Sequence, residues 1–316
     1  MTKLLVLGAG GIGGYFGGRL AATGTDVTFL VRPKRQQQLA RDGLRIRSPL
    51  GDVDIPVNTV RAEELEPKYD LVLLTNKAYD LDSAMDAIAP AMNGHCTIVP
   101  TLNGLAHLER LDNRFGAEHI LGGACMIDVK VDNDGVIQHM GALQRMVFGE
   151  RDGSKSKRSE EFANALAAAN IDHELSDKIM LEMWEKLVFL CALAATACLF
   201  RGNGGEIVSA PGGLDALTSI LDTNIEIARR EGYDPRDSVM NGMRDRFSDP
   251  NGKWETSMQR DIEAGNPVEA DHIVGYMLDK ARKHKLDDTI LSLAYTHLKT
   301  YEARRAAGRL PLRQTG

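Results

Sequence analysis

Lys186 stands at the entrance of an unbroken apolar run in "EMWEKLVFLCALAATACLF", residues 182–200. An ammonium drawn into apolar surroundings without a partner is expensive, so this charge needs a counter-charge, an escape to solvent or a chemical task. A second pattern lies near the N-terminus, where Gly8, Gly10 and Gly13 form GxGxxG directly after the apolar "LLVL". Between a strand and a helix, one such glycine makes the turn, one lets the backbone approach a pyrophosphate, and one lets helix pack on strand. That context points to a dinucleotide site, the alternative being a merely tight strand-to-helix turn. The next apolar strand, "DVTFLV", ends in "RPKR" rather than in Asp or Glu. An acidic residue there would bond the ribose 2′-hydroxyl of NAD, whereas Arg32 suits the 2′-phosphate of NADP. Lys34 and Arg35, taken singly, read as a solvated helix start. Lys77 in "TNKAYD" and Asn103 in "TLNGL" also fall at strand ends, where open α/β sheets bind ligands, though each reads as well as a turn residue.

These residues need a frame. The first part of the chain alternates short apolar β-rich runs with helical stretches: "LLVLG", a helix over residues 12–23, "DVTFLV", "YDLVLLT", a helix over residues 80–92, and "CTIVP". Continuous apolar strands in such alternation predict a doubly wound, Rossmann-type parallel sheet covered by helices on both faces. A hairpin-like insertion, "LRIRSPLGDVDIPV", falls between the second and third of these strands. Further β-rich runs over residues 124–131, 136–138 and 144–148 are expected to extend the sheet. From residue 177 onward the pattern is helical, punctuated by "GNGG", "APGG", "DPNG" and "AGNP". The fold class is therefore α/β followed by an all-α domain, with boundaries at residues 1–176 and 177–316, and Lys186 near the junction. "RLPLRQTG" at the C-terminus is expected to fray.

Composition narrows the partners. A chain of 316 residues with 43% apolar and 26% charged residues is that of an ordinary globular protein of two domains. Its net charge of -6 argues against nucleic acid or an anionic membrane as partner, since both call for a basic surface. The apolar stretch at the N-terminus is far shorter than a signal-peptide core, and the run after Lys186 is shorter than a membrane span. Cys96, Cys125, Cys191 and Cys198 form no CxxC pair, and the eight histidines show no HExxH or HxxxH spacing. No metal site is expected, and the thiols fit a reduced, cytoplasmic protein. Cys191 and Cys198 read as core residues of the apolar helix.

Taken together, "GAGGIG", "NKAYD", "TLNG" and the pair "WEKL" with "TSMQRDIEAGNPVEAD" resemble the ketopantoate reductase (2-dehydropantoate 2-reductase) family over essentially the full length. The resemblance implies a cytoplasmic NADPH-dependent oxidoreductase that reduces a 2-oxo acid to a 2-hydroxy acid, as in pantothenate biosynthesis. It implies a small-molecule partner and is compatible with a homodimer. By the resemblance, Lys186 looks like the proton-donating lysine and Glu269 like the active-site glutamate. Ser257 looks like the substrate-binding serine, Asn103 like the asparagine near the nicotinamide, and Lys77 like the cofactor-side lysine. Such a lysine can stabilise and protonate the alkoxide that hydride transfer leaves on the carbonyl oxygen, and apolar surroundings make an ammonium a readier acid.

Plainer readings remain beside these. Lys186 could snorkel at a helix edge beside Glu182. "NPVE" reads also as a helix N-cap, first-turn proline and capping glutamate. Ser257 could be a cap and Asp261 a solvated acid. The chain also departs from the family. Ketopantoate-reducing members carry asparagines one and two turns past the lysine, where this chain has Leu190 and Ala194. The Asn-Gly-Glu of the family reads Gly204-Gly205-Glu206, with Asn203 one place out of register, and Trp254 replaces an asparagine three residues before Ser257. Loss of several polar groups at once implies a pocket for a more apolar or bulkier 2-oxo acid or ketone. The alternative is a non-catalytic dinucleotide-binding sensor or structural relative.

Overall fold

The computed structural model describes residues 2–310, so most of the C-terminal "RLPLRQTG" segment lies outside the described residues. The chain divides into two compact units. Among the described residues, one holds those up to Leu102 together with His107–Met180; the other holds Asn103–Ala106 and those from Leu181 on.

The first unit is built on two sheets. Strands β1 (Lys3–Leu7) and β2 (Asp26–Leu30) join the later strands β5 (Asn58–Val60), β6 (Leu71–Leu74) and β7 (Thr97–Pro100) in the order β5-β2-β1-β6-β7. All neighbours in this sheet run parallel. The buried "LVLL" of β6 shows why: a strand covered on both faces has no solvent side to be polar. A second sheet contains β3 (Leu44–Arg47), β4 (Val53–Ile55), β9 (Ile137–Gly149) and β10 (Asp172–Leu175), with β8 (Gly122–Val131) paired antiparallel to β9. The runs expected to extend the first sheet therefore build a separate one, and residues 136–138 and 144–148 belong largely to one long strand.

The reason lies in α1 (Gly11–Ala22), which is glycine-rich well beyond the GxGxxG. A Cβ at Gly17 would stand 2.7 Å from the Phe29 ring of the first sheet, and one at Gly18 would stand 2.5 Å from Leu44 of the second. Two faces of one helix thus touch two sheets at backbone distance, and the shared core runs from Val6 and Phe29 through Phe16 to Ile46 and Ile137. The remaining helices of this unit are α2 (Pro33–Asp42), α3 (Leu81–Ile88), α4 (Ala106–Phe115, which starts at the last residue of the 103–106 segment) and α5 (Lys157–Ala168).

The second unit is helical: α6 (Ile179–Phe200, whose first two residues belong to the first unit), α7 (Gly204–Ser209), α8 (Gly213–Arg230), α9 (Asp237–Phe247), α10 (Ser257–Glu263), α11 (Tyr276–Lys283) and α12 (Thr289–Ala306). At 22 residues α6 begins before Lys186 and is long enough to cross a membrane, contrary to the reading of its length from the apolar run alone. Its most apolar stretch is 72% buried within the protein, as befits a core helix that is apolar all round. Cys191, Ala192, Ala194, Ala195 and Cys198 on it are fully buried. The four cysteines are free and buried, and burial pushes the Cys191 and Cys198 thiols up to about 12. Among the described residues no cluster of metal-ligating side chains occurs.

Candidate active site

In the first unit the turn from β1 into α1 opens onto a cavity of about 950 Å³, a volume in the range of ligand sites. Gly8, at φ +89, makes the turn in a conformation that suits glycine. A Cβ at Gly10 would meet nothing within 4 Å, which leaves the backbone open to close approach by a ligand. Gly13 lies beneath, where a Cβ would collide with the Gly8 carbonyl oxygen and the Thr75 hydroxyl. The three glycines thus divide the tasks of turn, approach and packing.

Arg32 lines the same cavity. It is the N-cap residue of α2, its side chain is 82% exposed, and it pairs with Asp80 at 3.6 Å. Arg35 does more than a solvated helix start would. Its Nε donates to the Ala9 carbonyl at 3.2 Å, and its Nη1 donates to Gly135 O at 3.1 Å and to Gln38 Oε1 at 2.7 Å. It therefore ties the glycine loop to the turn between β8 and β9. Its Nη2 is buried without a hydrogen-bond partner, and burial, then the nearby Arg45, lowers its proton affinity. A desolvated guanidinium with an unused N–H, beside an open glycine loop, fits an anionic ligand such as the phosphates of a dinucleotide. Lys77 is half-buried at the N-cap of a short 3₁₀ turn, Ala78–Asp80, and is not among the residues lining this cavity.

In the second unit two separated motifs meet. Lys186, half-buried on α6, donates from Nζ to Asn103 Oδ1 at 3.1 Å, across 83 positions of sequence. The preceding residue is held as firmly. Glu185 is 3% exposed and accepts from Arg236 Nη2 at 2.5 Å, Nε at 2.9 Å and the backbone N–H at 2.8 Å. That bidentate pair, a buried carboxylate under a half-exposed guanidinium, ties the start of α9 to α6 one residue from Lys186.

Glu269 is buried at 6% exposure and precedes the helical segment that starts at Ala270, so it does not occupy a third helical position as the capping reading of "NPVE" would require. Ser257 is the first residue of α10, and the cap is Thr256, whose hydroxyl accepts from the Gln259 N–H at 3.0 Å. Leu190 is half-buried, whereas Ala194 has no exposed surface and packs inside the helical core.

Trp254 packs against a glycine fifty positions earlier in the sequence. A Cβ at Gly204 would overlap the Trp254 indole, and the Gly204 N–H donates to the Trp254 carbonyl at 3.1 Å. The missing side chain at 204 and the large one at 254 are therefore one packing event. The indole meets Phe247 at 5.7 Å between ring centroids, and Phe247 stacks on Phe189 at 5.5 Å. Asn203 caps α7 reciprocally with Glu206.

Two family descriptions cover most of the chain: residues 4–153 match Ketopantoate reductase PanE/ApbA, and residues 178–302 match Ketopantoate reductase PanE/ApbA C terminal. The chain belongs to the ketopantoate reductase family. It is 35% identical over 304 residues to the uncharacterized oxidoreductase YkpB of Bacillus subtilis, covering 96% of this chain and all of that one. It is 28% identical to a 2-dehydropantoate 2-reductase of Mesorhizobium japonicum, covering 89% of this chain and 91% of the relative. The crystal structure of 2-dehydropantoate 2-reductase from Geobacter metallireducens superposes with a TM-score of 0.85 at 28% identity, covering 94% of this chain and 99% of that one. The protein is thus an oxidoreductase of the ketopantoate reductase type, with the Rossmann-like sheet and helical C-terminal region of that family.

Proposed function

We propose that the protein reduces a 2-oxo acid to the 2-hydroxy acid with NADPH, and that its substrate carries a more apolar or bulkier group than ketopantoate does. The observation that carries this reading is the bond from Lys186 Nζ to Asn103 Oδ1. A hydrogen-bonded amide oxygen aims the ammonium without neutralising it, which is what a proton donor needs.

When bound, the nicotinamide dinucleotide supplies the hydride. The Lys186 ammonium stabilises charge that builds on the substrate's carbonyl oxygen and gives that oxygen its proton. Glu269, buried in the same unit, supports the positive charge, and Ser257, at the head of α10, orients the substrate carboxylate. The glycine loop and Arg35 hold the pyrophosphate, and Arg32 takes the 2′-phosphate in exchange for its exposed pairing with Asp80. Leu190 and the Trp254 packing replace polar groups, which supports an altered substrate preference.

The test is a screen of NADPH oxidation over 2-oxo acids graded in size and polarity. The expected ranking places acids with branched or aromatic apolar groups above ketopantoate. Efficient reduction of ketopantoate alone would contradict the altered pocket. NADPH binding with no turnover across the panel would favour a dinucleotide sensor.

A further inference from the structure

Residues Asp271–Gly275 form one π-helical turn that runs directly into α11. Such widened turns are rare and often mark functional sites. Two glycines frame this one. Gly104 has φ +86, and a Cβ there would stand 2.5 Å from the His272 carbonyl oxygen, so the Asn103–Gly104 turn rests its backbone directly on the π turn. At the other end a Cβ at Gly275 would stand 2.9 Å from the Tyr295 ring.

Asp271 links that turn to α12. The Tyr295 hydroxyl donates to Asp271 Oδ1 at 2.7 Å, and Lys299 Nζ donates to both carboxylate oxygens at 3.1 and 3.2 Å. Lys299 also pairs with Glu302 at 2.5 Å. Burial opposes ionisation of Asp271, but Tyr295 and Lys299 outweigh it and hold the carboxyl below its ordinary value. The bond to Asp271 pushes the Tyr295 hydroxyl up to about 12. The contacts are continuous within the helical unit: α12 to Asp271, the π turn to Gly104, and Asn103 to Lys186.

The geometry points to Asp271 as a positioning residue for Lys186. By tying the π turn to α12 it fixes where the Asn103 amide oxygen stands, and hence where the ammonium points. This rests on the reading of Lys186 as proton donor. The plainer alternative is an open ion-pair cluster, since the Asp271 side chain is 57% exposed. Such a pair alone adds little to stability and nothing to Lys186.

The experiment reads Lys186 directly. The free protein is labelled with limiting acetic anhydride, and the rate at Lys186 is followed by mass spectrometry in wild type, Asp271→Ala, Asp271→Asn and Tyr295→Phe. Turnover of ketopantoate, or of the 2-oxo acid that the screen ranks first, is measured on the same samples together with the NADPH Kd. Asp271→Ala is expected to change the Lys186 labelling rate and lower kcat by roughly 2- to 30-fold, the usual span for residues that act through a contact chain. Asp271→Asn, which keeps an acceptor for Tyr295, should recover part of both effects, and the NADPH Kd should stay put. If Asp271→Ala fails to fold, Tyr295→Phe carries the same prediction at the smaller end of the range. Unchanged labelling and kcat, with only a lower melting temperature, would overturn the inference. A Lys186→Ala variant separates the two levels. Should it be inactive while the Asp271 and Tyr295 variants match wild type, only the positioning role fails; should it keep full turnover, the proton-donor reading fails as well.

Discussion

Around the glycine loop the first unit works with backbone: an open position at Gly10, a left-handed turn at Gly8, and Arg35 bound to two carbonyl oxygens. Around Lys186 the second unit works with side chains: an amide under the ammonium, and a carboxylate one residue away clasped by Arg236. The two regions can therefore change in different ways. A backbone cradle tolerates almost no substitution at its glycines but serves any ligand with the same phosphates. A side-chain constellation depends instead on packing between residues far apart in sequence, as the Gly204 and Trp254 pair shows.

The sharpest way to break that contrast is Gly13→Ala. Its Cβ has backbone on one side and the Thr75 hydroxyl, already bound to the Leu7 carbonyl at 2.8 Å, on the other. The variant should lose about 3 kcal/mol of stability and weaken NADPH binding by roughly 100-fold, or nearly 3 kcal/mol. Denaturant titration and cofactor fluorescence would check it, and a wild-type Kd would show that the loop is not a tight cradle.

The helical unit has its own side-chain anchor at Glu231. Burial raises its proton affinity, but bonds from Lys280, Lys283 and His284 overcome that and pull the carboxyl down from 4.5 to about 2. A folded-state value below the ordinary one means that the stabilisation is complete above about pH 4.5 and drains away as pH falls toward 2. Glu231→Gln should cost about 2 kcal/mol at neutral pH and flatten the acid limb of the stability profile. Thermal melts at pH 7 and pH 3 would measure both. The smallest effect is expected from Arg32→Ala, whose exposed side chain should be worth roughly tenfold in NADPH affinity and nothing in NADH affinity. Equal loss for both cofactors would assign Arg32 to the fold rather than to the 2′-phosphate.

The glycine loop was legible because its demands are local: strand, turn and helix are contiguous, and each glycine has its own steric reason. The helical second half was legible from periodicity and punctuation. Sheet partnership was not, because β3 pairs with β9 across some ninety positions and no residue in either announces the other. Arg35 looked like a surface cation until the turn ending at Gly135 supplied its acceptor. Glu185 gave no signal at all, its partner Arg236 standing 51 residues away. Gly204 and Trp254 drew separate notice in the sequence, but that the glycine makes room for the indole is a fact of packing that spacing cannot express. Residue type points to Ser257 as the cap, since serine is the better capping residue, and only the geometry shows Thr256 in that place.

In the proposed reaction the Lys186 ammonium, held by Asn103, delivers the proton. Lys186→Ala tests it with two readings on one sample, NADPH affinity and turnover of the best 2-oxo acid. The expected Kd lies within about twofold of wild type, since the proposed binding rests on the glycine loop, and turnover should fall by on the order of 10² to 10⁴. Turnover equal to wild type would contradict it.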